Sequence, residues 1–180
     1  KVEKYVAFLR GINVGGKNKV PMAELKKEFE KWGFTEVKTY LNSGNVIFEF
    51  AKDDMGYLKE QIEVKLEASF GFEIPVLVIT KARLEDILNH APDWWETDNK
   101  EIYDNLIFIL APATFSKVYD EIGEPKKELE KIENYDNVIF WSFNRKEYRK
   151  TNWWQKTASI DISNRLTIRT ANTIKKIVKM

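Results

Sequence analysis

The 180-residue chain contains no cysteine and a single histidine, His90. The absence of cysteine excludes disulfide bonds, thiolate metal sites and cysteine nucleophiles. One imidazole is too few for a polyhistidine metal site, so we expect neither a metal ion nor a cofactor. No apolar run approaches the roughly 20 residues that a membrane span needs, and the first residues show no signal-peptide pattern. We therefore expect a cytoplasmic protein with no membrane partner.

Positive charge is concentrated at the two ends of the chain. Residues 141–180 hold ten Lys and Arg against two Asp and Glu, and residues 1–20 hold five against one. Because the net charge is +1, residues 21–140 carry a net charge of −11. A fold that brings the two ends together would have one electropositive face, which favours an anionic partner.

The first eighty residues predict the order strand, helix, strand, strand, helix, strand. Apolar residues recur every three or four positions along the first helix, at Met22, Leu25, Phe29 and Trp32. Strand-like alternation on both sides of Asn42-Ser43-Gly44-Asn45 predicts a hairpin. Asp53 or Asp54 is expected to cap the second helix, and Thr80 a third. This order is that of a ferredoxin-like βαββαβ unit.

The second half of the chain repeats this order in a weaker form. Strands are predicted at 106–110, 129–132, 138–143 and 166–168. Helices are predicted at 114–122, from Tyr148 to Trp154 with Asn144 as a cap, and after Thr170. We therefore predict an α+β fold of two ferredoxin-like subdomains with antiparallel sheets and a C-terminal helix. The expected limits are 1–91 and a degenerate 105–180, joined by a linker at 92–104.

The most informative segment is the glycine loop, residues 10–19, which follows an apolar strand and combines three glycines with three cations. Gly11, Gly15 and Gly16 allow positive φ and a close approach of the backbone to a ligand. Their amides, with the cations Arg10, Lys17 and Lys19, predict an anion-binding loop. The alternative is a connection whose glycines only permit tight packing.

The loop also fits the P-loop pattern G-x-x-x-x-G-K, from Gly11 to Lys17. The next residue is Asn18, where a P-loop has the Ser or Thr that binds magnesium. The following helix is predicted near Pro21 rather than at the lysine. A nucleotide-hydrolysing P-loop is therefore disfavoured.

Three segments resemble the bacterial family catalogued as domain of unknown function 1697. They are residues 7–16, residues 20–25 with Gly33-Phe34, and residues 39–48. In addition, residues 167–173 are similar to the closing motif of the family. The family pattern there is Thr-x-Arg-Asn-x-Asn-Thr, often with Trp before the second Asn. This chain has Thr170 at the first Asn position and Ala171 at the Trp position. The resemblance implies a two-subdomain α+β fold and no established activity.

Arg10 and Arg169 are each followed three residues later by an asparagine, Asn13 and Asn172. A guanidinium suits bidentate recognition of a phosphate or carboxylate, whereas pairing with an acidic residue of the protein is the simpler alternative. We expect the glycine loop, the 42–45 turn and residues 169–173 to converge. Ser43, Asn45 and the two asparagines would then orient the ligand.

Two adjacent tryptophan pairs, Trp94-Trp95 and Trp153-Trp154, allow two interpretations. Rings beside the basic residues of 145–156 could stack on nucleic-acid bases, and rings filling a subdomain interface are the favoured alternative. A Ser43–His90 pair is disfavoured as a nucleophile and base, because nothing in the sequence brings the two together.

The function predicted from the sequence is binding of an anionic, phosphate-bearing ligand, either a small molecule or a nucleic acid. One alternative is a protein–protein interaction module, since a ferredoxin-like sheet can pair through its edge or its face. The other is a metal-independent enzyme that acts on a phosphorylated small molecule or nucleotide. This alternative requires a carboxylate with a raised pKa in the same cleft.

Overall fold

A computed structural model describes residues 1–51 and 54–180. The chain divides into two compact units, and the division falls inside two of its helices. Unit 1 comprises Lys1–Glu85 with Ile177–Met180, and unit 2 comprises Asp86–Lys176. The subdomain limits expected from the sequence, 1–91 and 105–180, remain a prediction.

Unit 1 is a four-stranded antiparallel sheet with two helices packed on one face. The elements run in the order β1 (Val2–Leu9), α1 (Met22–Lys31), β2 (Thr35–Tyr40), β3 (Asn45–Ala51), α2 (Met55–Phe70), β4 (Val76–Thr80) and α3 (Lys81–Asn89). The strand order is β2-β3-β1-β4, with every neighbouring pair antiparallel. Alternate residues of β1, β3 and β4 pack against Leu25 and Phe29 of α1 and Leu58, Ile62 and Leu66 of α2.

Unit 2 repeats this topology. Its elements are β5 (Ile102–Ile109), α4 (Phe115–Ile122), β6 (Glu130–Tyr135), β7 (Val138–Asn144), α5 (Asn152–Thr157), α6 (Ile160–Ser163), β8 (Leu166–Thr170) and α7 (Ala171–Val178). The strand order β6-β7-β5-β8 is the counterpart of that in unit 1. Val118 and Ile122 of α4 and Trp153 of α5 pack on alternate residues of β5 and β7. The prediction of two ferredoxin-like subdomains and a C-terminal helix is therefore confirmed.

Each sheet has buried residues on both of its faces. In unit 1, Val6, Phe8 and Ile47 alternate with the residues that face the helices, and each is at most 1% exposed. In unit 2, Phe140 lies on the corresponding face and is covered by Trp95, with the two rings edge to face at 5.1 Å. The Trp95 indole N–H donates to the backbone oxygen of Asn105 at 2.9 Å.

Cap residues identified in the sequence correctly predicted where three of the helices begin. Asp54, Thr80 and Thr170 accept backbone N–H groups in the first turns of α2, α3 and α7, as expected for caps. The other candidate cap, Asp53, lies outside the described residues. Gly33 ends the turn after α1 with a φ of 95°.

The helix predicted from Tyr148 to Trp154 is wrong in its extent. A 3₁₀ turn covers Tyr148–Lys150, and α5 begins only at Asn152. Thr151 separates them because its backbone is extended and its hydroxyl caps α5 by accepting the N–H of Trp154 at 3.2 Å. Asn144 instead accepts the N–H groups of Lys146 and Glu147.

Candidate functional site

The tip of the glycine loop is a tight two-residue hairpin turn. The Lys17 N–H donates to Val14 O at 2.9 Å, and the Asn13 N–H donates to Asn18 O at 3.0 Å. Gly15 and Gly16 occupy the centre with φ values of 57° and 77°. Two positive φ angles are the pattern of a type I′ turn, which glycine adopts without steric cost.

Two asparagine side chains hold the base of this hairpin. Asn13 Nδ2 donates to Val20 O at 3.0 Å and to Asn42 O at 2.8 Å, and Asn13 Oδ1 accepts the Val20 N–H at 2.8 Å. Asn18 Nδ2 donates to Gly11 O at 3.0 Å. Both asparagines have positive φ, which Asn tolerates better than most residues. The Asn13 amide, expected to orient a ligand, is thus engaged in holding the loop against the 42–45 turn.

The 42–45 turn packs closely against the glycine loop. Gly44 has a φ of 92°, and a Cβ placed on it would lie 2.7 Å from Ile12 Cδ1 and 2.9 Å from Leu9 Cβ. Asn45 is fully buried, and its Nδ2 donates to Tyr40 O at 2.7 Å and to Ser43 Oγ at 3.0 Å. The Asn45 side chain therefore stabilises the turn through these two hydrogen bonds.

The three cations of the glycine loop differ in their surroundings. Lys17 and Lys19 are exposed, and neither forms an ion pair with any residue that the structure describes. Arg10 is half-buried, and desolvation by this burial lowers the pKa of its guanidinium. The guanidinium remains charged at physiological pH because its ordinary pKa lies far above neutrality.

The Arg10 backbone N–H donates to Pro75 O at 3.0 Å. Unit 2 has the corresponding bond, from Leu110 N to Arg165 O at 2.8 Å. These bonds make Leu110 the counterpart of Arg10. Twelve residues, 10–21, follow β1 before α1 begins, whereas only five, 110–114, separate β5 from α4. The glycine hairpin is therefore additional to what this βα connection needs.

The P-loop alternative does not fit this geometry. A P-loop lysine stands at the start of a helix, whose amides face the phosphates. Here Lys17 closes a hairpin turn, and α1 begins only at Met22.

Arg169 and Asn172 belong to unit 2, where they occupy positions unlike those of Arg10 and Asn13. Arg10 follows the central strand β1, whereas Arg169 lies within the edge strand β8. The half-buried Arg169 donates from Nη1 to Ile168 O at 3.1 Å, and Asn172 is exposed in the first turn of α7. Their convergence with the glycine loop stays a prediction.

The single histidine and the tryptophan pairs have contacts of their own in unit 2. His90 stacks on Tyr135 with ring centroids 4.0 Å apart, and its Nδ1 lies 2.9 Å from Asp86 O. Trp153 is fully buried and its indole donates to Gly123 O, whereas Trp154 is 40% exposed and contacts Tyr148 and Phe143. In each pair, one ring is buried and the other is more exposed.

Unit 2 contains a carboxylate with a raised pKa. Desolvation by burial raises the pKa of Asp104, against the opposing effects of hydrogen bonds from the Ser142 hydroxyl and from the backbone of Glu96. Sequence analysis missed this pair because Asp104 and Ser142 are far apart in the chain. Only the β5–β7 register brings them opposite one another.

A second buried carboxylate, Glu130, has a structural role. Its two oxygens accept N–H groups from the Lys126 backbone, the Trp141 indole and the backbones of Asn152 and Trp153, at 2.6 to 3.2 Å. Four donors saturate this carboxylate, so Glu130 joins β6, β7 and the start of α5.

The family model for "protein of unknown function (DUF1697)" matches residues 2–140. The chain belongs to the DUF1697 family. A solved structure, that of the conserved bacterial protein SP0830 from Streptococcus pneumoniae, is similar with a TM-score of 0.86 and 29% identity, over 99% of this chain and 98% of that one. Among curated proteins, none matches the chain. The DUF1697 resemblance expected from the sequence is thereby confirmed.

No group of three or more His, Asp or Glu side chains in the described parts of this DUF1697 protein could hold a metal ion. Likewise, none of its described helices is both long enough and apolar enough to cross a bilayer.

Proposed function

We propose that the glycine loop binds an anionic, phosphate-bearing ligand. The observation that carries the proposal is the hairpin tip, where the backbone N–H groups of Gly15 and Gly16 donate to no acceptor within the described residues. Successive exposed amides of this kind form anion-binding concavities in proteins. Lys17 and Lys19 stand next to them without an ion-pair partner among the described residues and supply positive charge.

The loop is preorganised for this role. Asn13 and Asn18 fix its base by four side-chain hydrogen bonds, and Ile12 is buried against Gly44. A loop held in its binding conformation loses less conformational entropy when the ligand arrives. The two glycines at the tip keep the space above the turn open, since a Cβ on either one would meet no atom within 4 Å.

Exposed apolar side chains lie on the glycine loop and next to the 42–45 turn that packs against it. Val14, at the hairpin tip, is 64% exposed, and Leu41, next to the 42–45 turn, is 51% exposed with a φ of 61°. A leucine at positive φ is strained, and such strain is concentrated at functional sites. These side chains favour a ligand with an apolar part beside its phosphate, such as a nucleotide or a segment of nucleic acid.

A titration at two salt concentrations tests the proposal. The probes are a fluorescent ADP analogue and a short labelled single-stranded oligonucleotide, which separate a small molecule from a nucleic acid. Phosphate contacts predict an affinity that falls steeply between about 50 and 200 mM salt. An affinity that is independent of salt, or no binding of either probe, would refute phosphate recognition.

Matched charge variants locate the site. The double variant Lys17→Gln/Lys19→Gln should weaken binding about tenfold, since each exposed ion pair contributes up to about 1 kcal/mol. Lys26→Gln/Lys27→Gln on α1 makes the same charge change at two exposed lysines and should alter the affinity by less than about twofold. Equal losses of affinity in both double variants would show that the probes are attracted only non-specifically by the positive charge of the protein. Arg169→Gln, assayed in parallel, tests the predicted convergence of residues 169–173 with the loop.

Cytoplasmic localisation is part of the same proposal. The chain has no cysteine that an oxidising compartment would use, and phosphorylated metabolites and nucleic acids are cytoplasmic ligands. Fractionation of cells that express the protein tests this assignment.

A further inference from the structure

Unit 2 contains a cleft of about 440 Å³ at one end of its sheet, which we call the Ser142 cleft. Its volume falls within the range of about 300–1,000 Å³ of small-molecule sites. The walls are mainly apolar and are formed by Trp94, Ile102, Leu129 and Phe143. All of the lining residues lie within Asp86–Lys176, so the cleft belongs to unit 2 alone.

A row of three polar side chains crosses the sheet at this cleft. In the β6–β7 register Lys131 is opposite Ser142, and in the β5–β7 register Ser142 is opposite Asp104. Directly paired residues project from the same face of a sheet, with Cβ atoms about 4.5–5.5 Å apart. The row Lys131–Ser142–Asp104 therefore lies on one face, and Lys131 and Ser142 line the cleft.

The hydrogen bond to Asp104 determines which ligand groups the Ser142 hydroxyl can bind. The Ser142 hydroxyl donates its proton to Asp104 Oδ1. A hydroxyl has one proton and two lone pairs, so the Ser142 oxygen can still accept a hydrogen bond. A ligand group beside Ser142 is therefore expected to be a donor, such as an N–H.

The cleft is lined by two lysines and two glutamates, and the lysines are the groups available to an anionic ligand. Lys127 and Lys131 are exposed and form no ion pair with a described residue. Of the acidic residues that line the cleft, Glu130 is engaged by four N–H donors and Glu128 is exposed, so their charges offset those of the lysines without pairing with them. A bound carboxylate would find two cations within the same cleft.

From these features we infer that the Ser142 cleft binds a small planar aromatic carboxylate that carries a ring N–H. The aromatic ring lies against Trp94 and Ile102, the N–H donates to Ser142 Oγ, and the carboxylate pairs with Lys127 and Lys131. This site is separate from the glycine loop and does not depend on the function proposed for that loop.

Calorimetric titration of the full chain with three related probes tests the inference. Indole-3-acetate has all three features, 1-methylindole-3-acetate lacks the N–H, and 3-methylindole lacks the carboxylate. We expect indole-3-acetate to bind with a Kd of about 1 mM or tighter, as ligand efficiency implies for a molecule of this size. The other two should each bind at least about fivefold more weakly, because each loses a polar contact. Equal affinities for all three probes would refute the assigned contacts.

Variants place the probe in the cleft. Ser142→Ala should remove the difference between indole-3-acetate and its 1-methyl derivative, and Lys131→Gln should reduce the difference between indole-3-acetate and 3-methylindole. Lys146→Gln, an exposed lysine that does not line the cleft, is the charge control. Lys17→Gln/Lys19→Gln should leave indole-3-acetate binding unchanged. Loss of binding in that double variant, or no binding of indole-3-acetate to the wild type, would overturn the inference.

Discussion

Gly44 is the position at which the structure predicts the largest effect of adding one methyl group. Gly44→Ala requires an L-residue at a φ of 92° and places a Cβ 2.7 Å from Ile12 Cδ1 and 2.9 Å from Leu9 Cβ. The left-handed backbone alone costs about 1–2 kcal/mol. Overpacking a buried contact adds about 1–3 kcal/mol. We therefore expect Gly44→Ala to lower the free energy of unfolding of unit 1 by about 2–5 kcal/mol.

Gly33→Ala is the matched control for this prediction. Gly33 has a similar φ of 95°, but its added Cβ would meet no atom within 4 Å. This variant should therefore show only the backbone cost of about 1–2 kcal/mol. Urea unfolding of both variants, followed by the indole ¹H–¹⁵N NMR signal of Trp32, reports on unit 1, because the other five tryptophans lie in unit 2 and give resolved signals of their own.

A double-mutant cycle isolates the steric contribution. Ile12→Val removes the Cδ1 atom nearest to the added methyl group, so Gly44→Ala should cost less in that background than in the wild type. If Gly44→Ala destabilises the protein no more than Gly33→Ala, or if the Ile12→Val background changes nothing, the close packing of the turn on the glycine loop is refuted.

Three further predictions concern polar side chains. Asn13→Ala removes the acceptor of the Val20 N–H. That amide should exchange with solvent about tenfold faster or more, as measured by hydrogen exchange, since a lost hydrogen bond is worth about 1–1.5 kcal/mol; unchanged exchange would contradict the role of Asn13 in the loop. Glu130→Gln leaves one oxygen for four N–H donors and should lower stability by about 2–4 kcal/mol in thermal unfolding; a loss below about 1 kcal/mol would show that the carboxylate does not hold α5. Because burial raises the pKa of Asp104, the folded state binds its proton more tightly than the unfolded state, and the ionised carboxylate becomes unfavourable as pH rises through the folded-state pKa. Asp104→Asn should therefore gain stability relative to the wild type as pH rises from the ordinary Asp pKa of about 3.9 through the higher folded-state pKa; a difference that stays constant as pH rises would contradict the raised pKa.

The topology could be predicted because its signals are local. The helical spacing of Leu25 and Phe29, the turn at Gly44 and the caps at Thr80 and Thr170 each depend on a few neighbouring residues. Such signals are present in each half of the chain. The extent of α5 could not be predicted, because it is set by Thr151 together with Glu130, a residue distant in sequence that accepts the N–H groups of Asn152 and Trp153.

The candidate sites were predictable only in part. Gly15-Gly16 indicates a turn by itself, but the bond between Asn13 and Asn42 depends on how the loop meets the neighbouring turn. The Ser142 cleft was missed entirely. Its row of polar residues comes from three strands, and a shift of one residue in register would move Ser142 to the other face of the sheet.

The central claim is that the glycine loop recognises phosphate through its backbone amides. The most direct test is an amide ¹H–¹⁵N NMR titration of the whole chain with the oligonucleotide and, separately, with ADP. We expect the amide signals of Gly15 and Gly16 to shift the most and to saturate with the same Kd as that of Lys17, and we expect Lys17→Gln/Lys19→Gln to reduce these shifts. Saturating shifts confined to other residues, with the Gly15 and Gly16 signals unmoved, would contradict the claim.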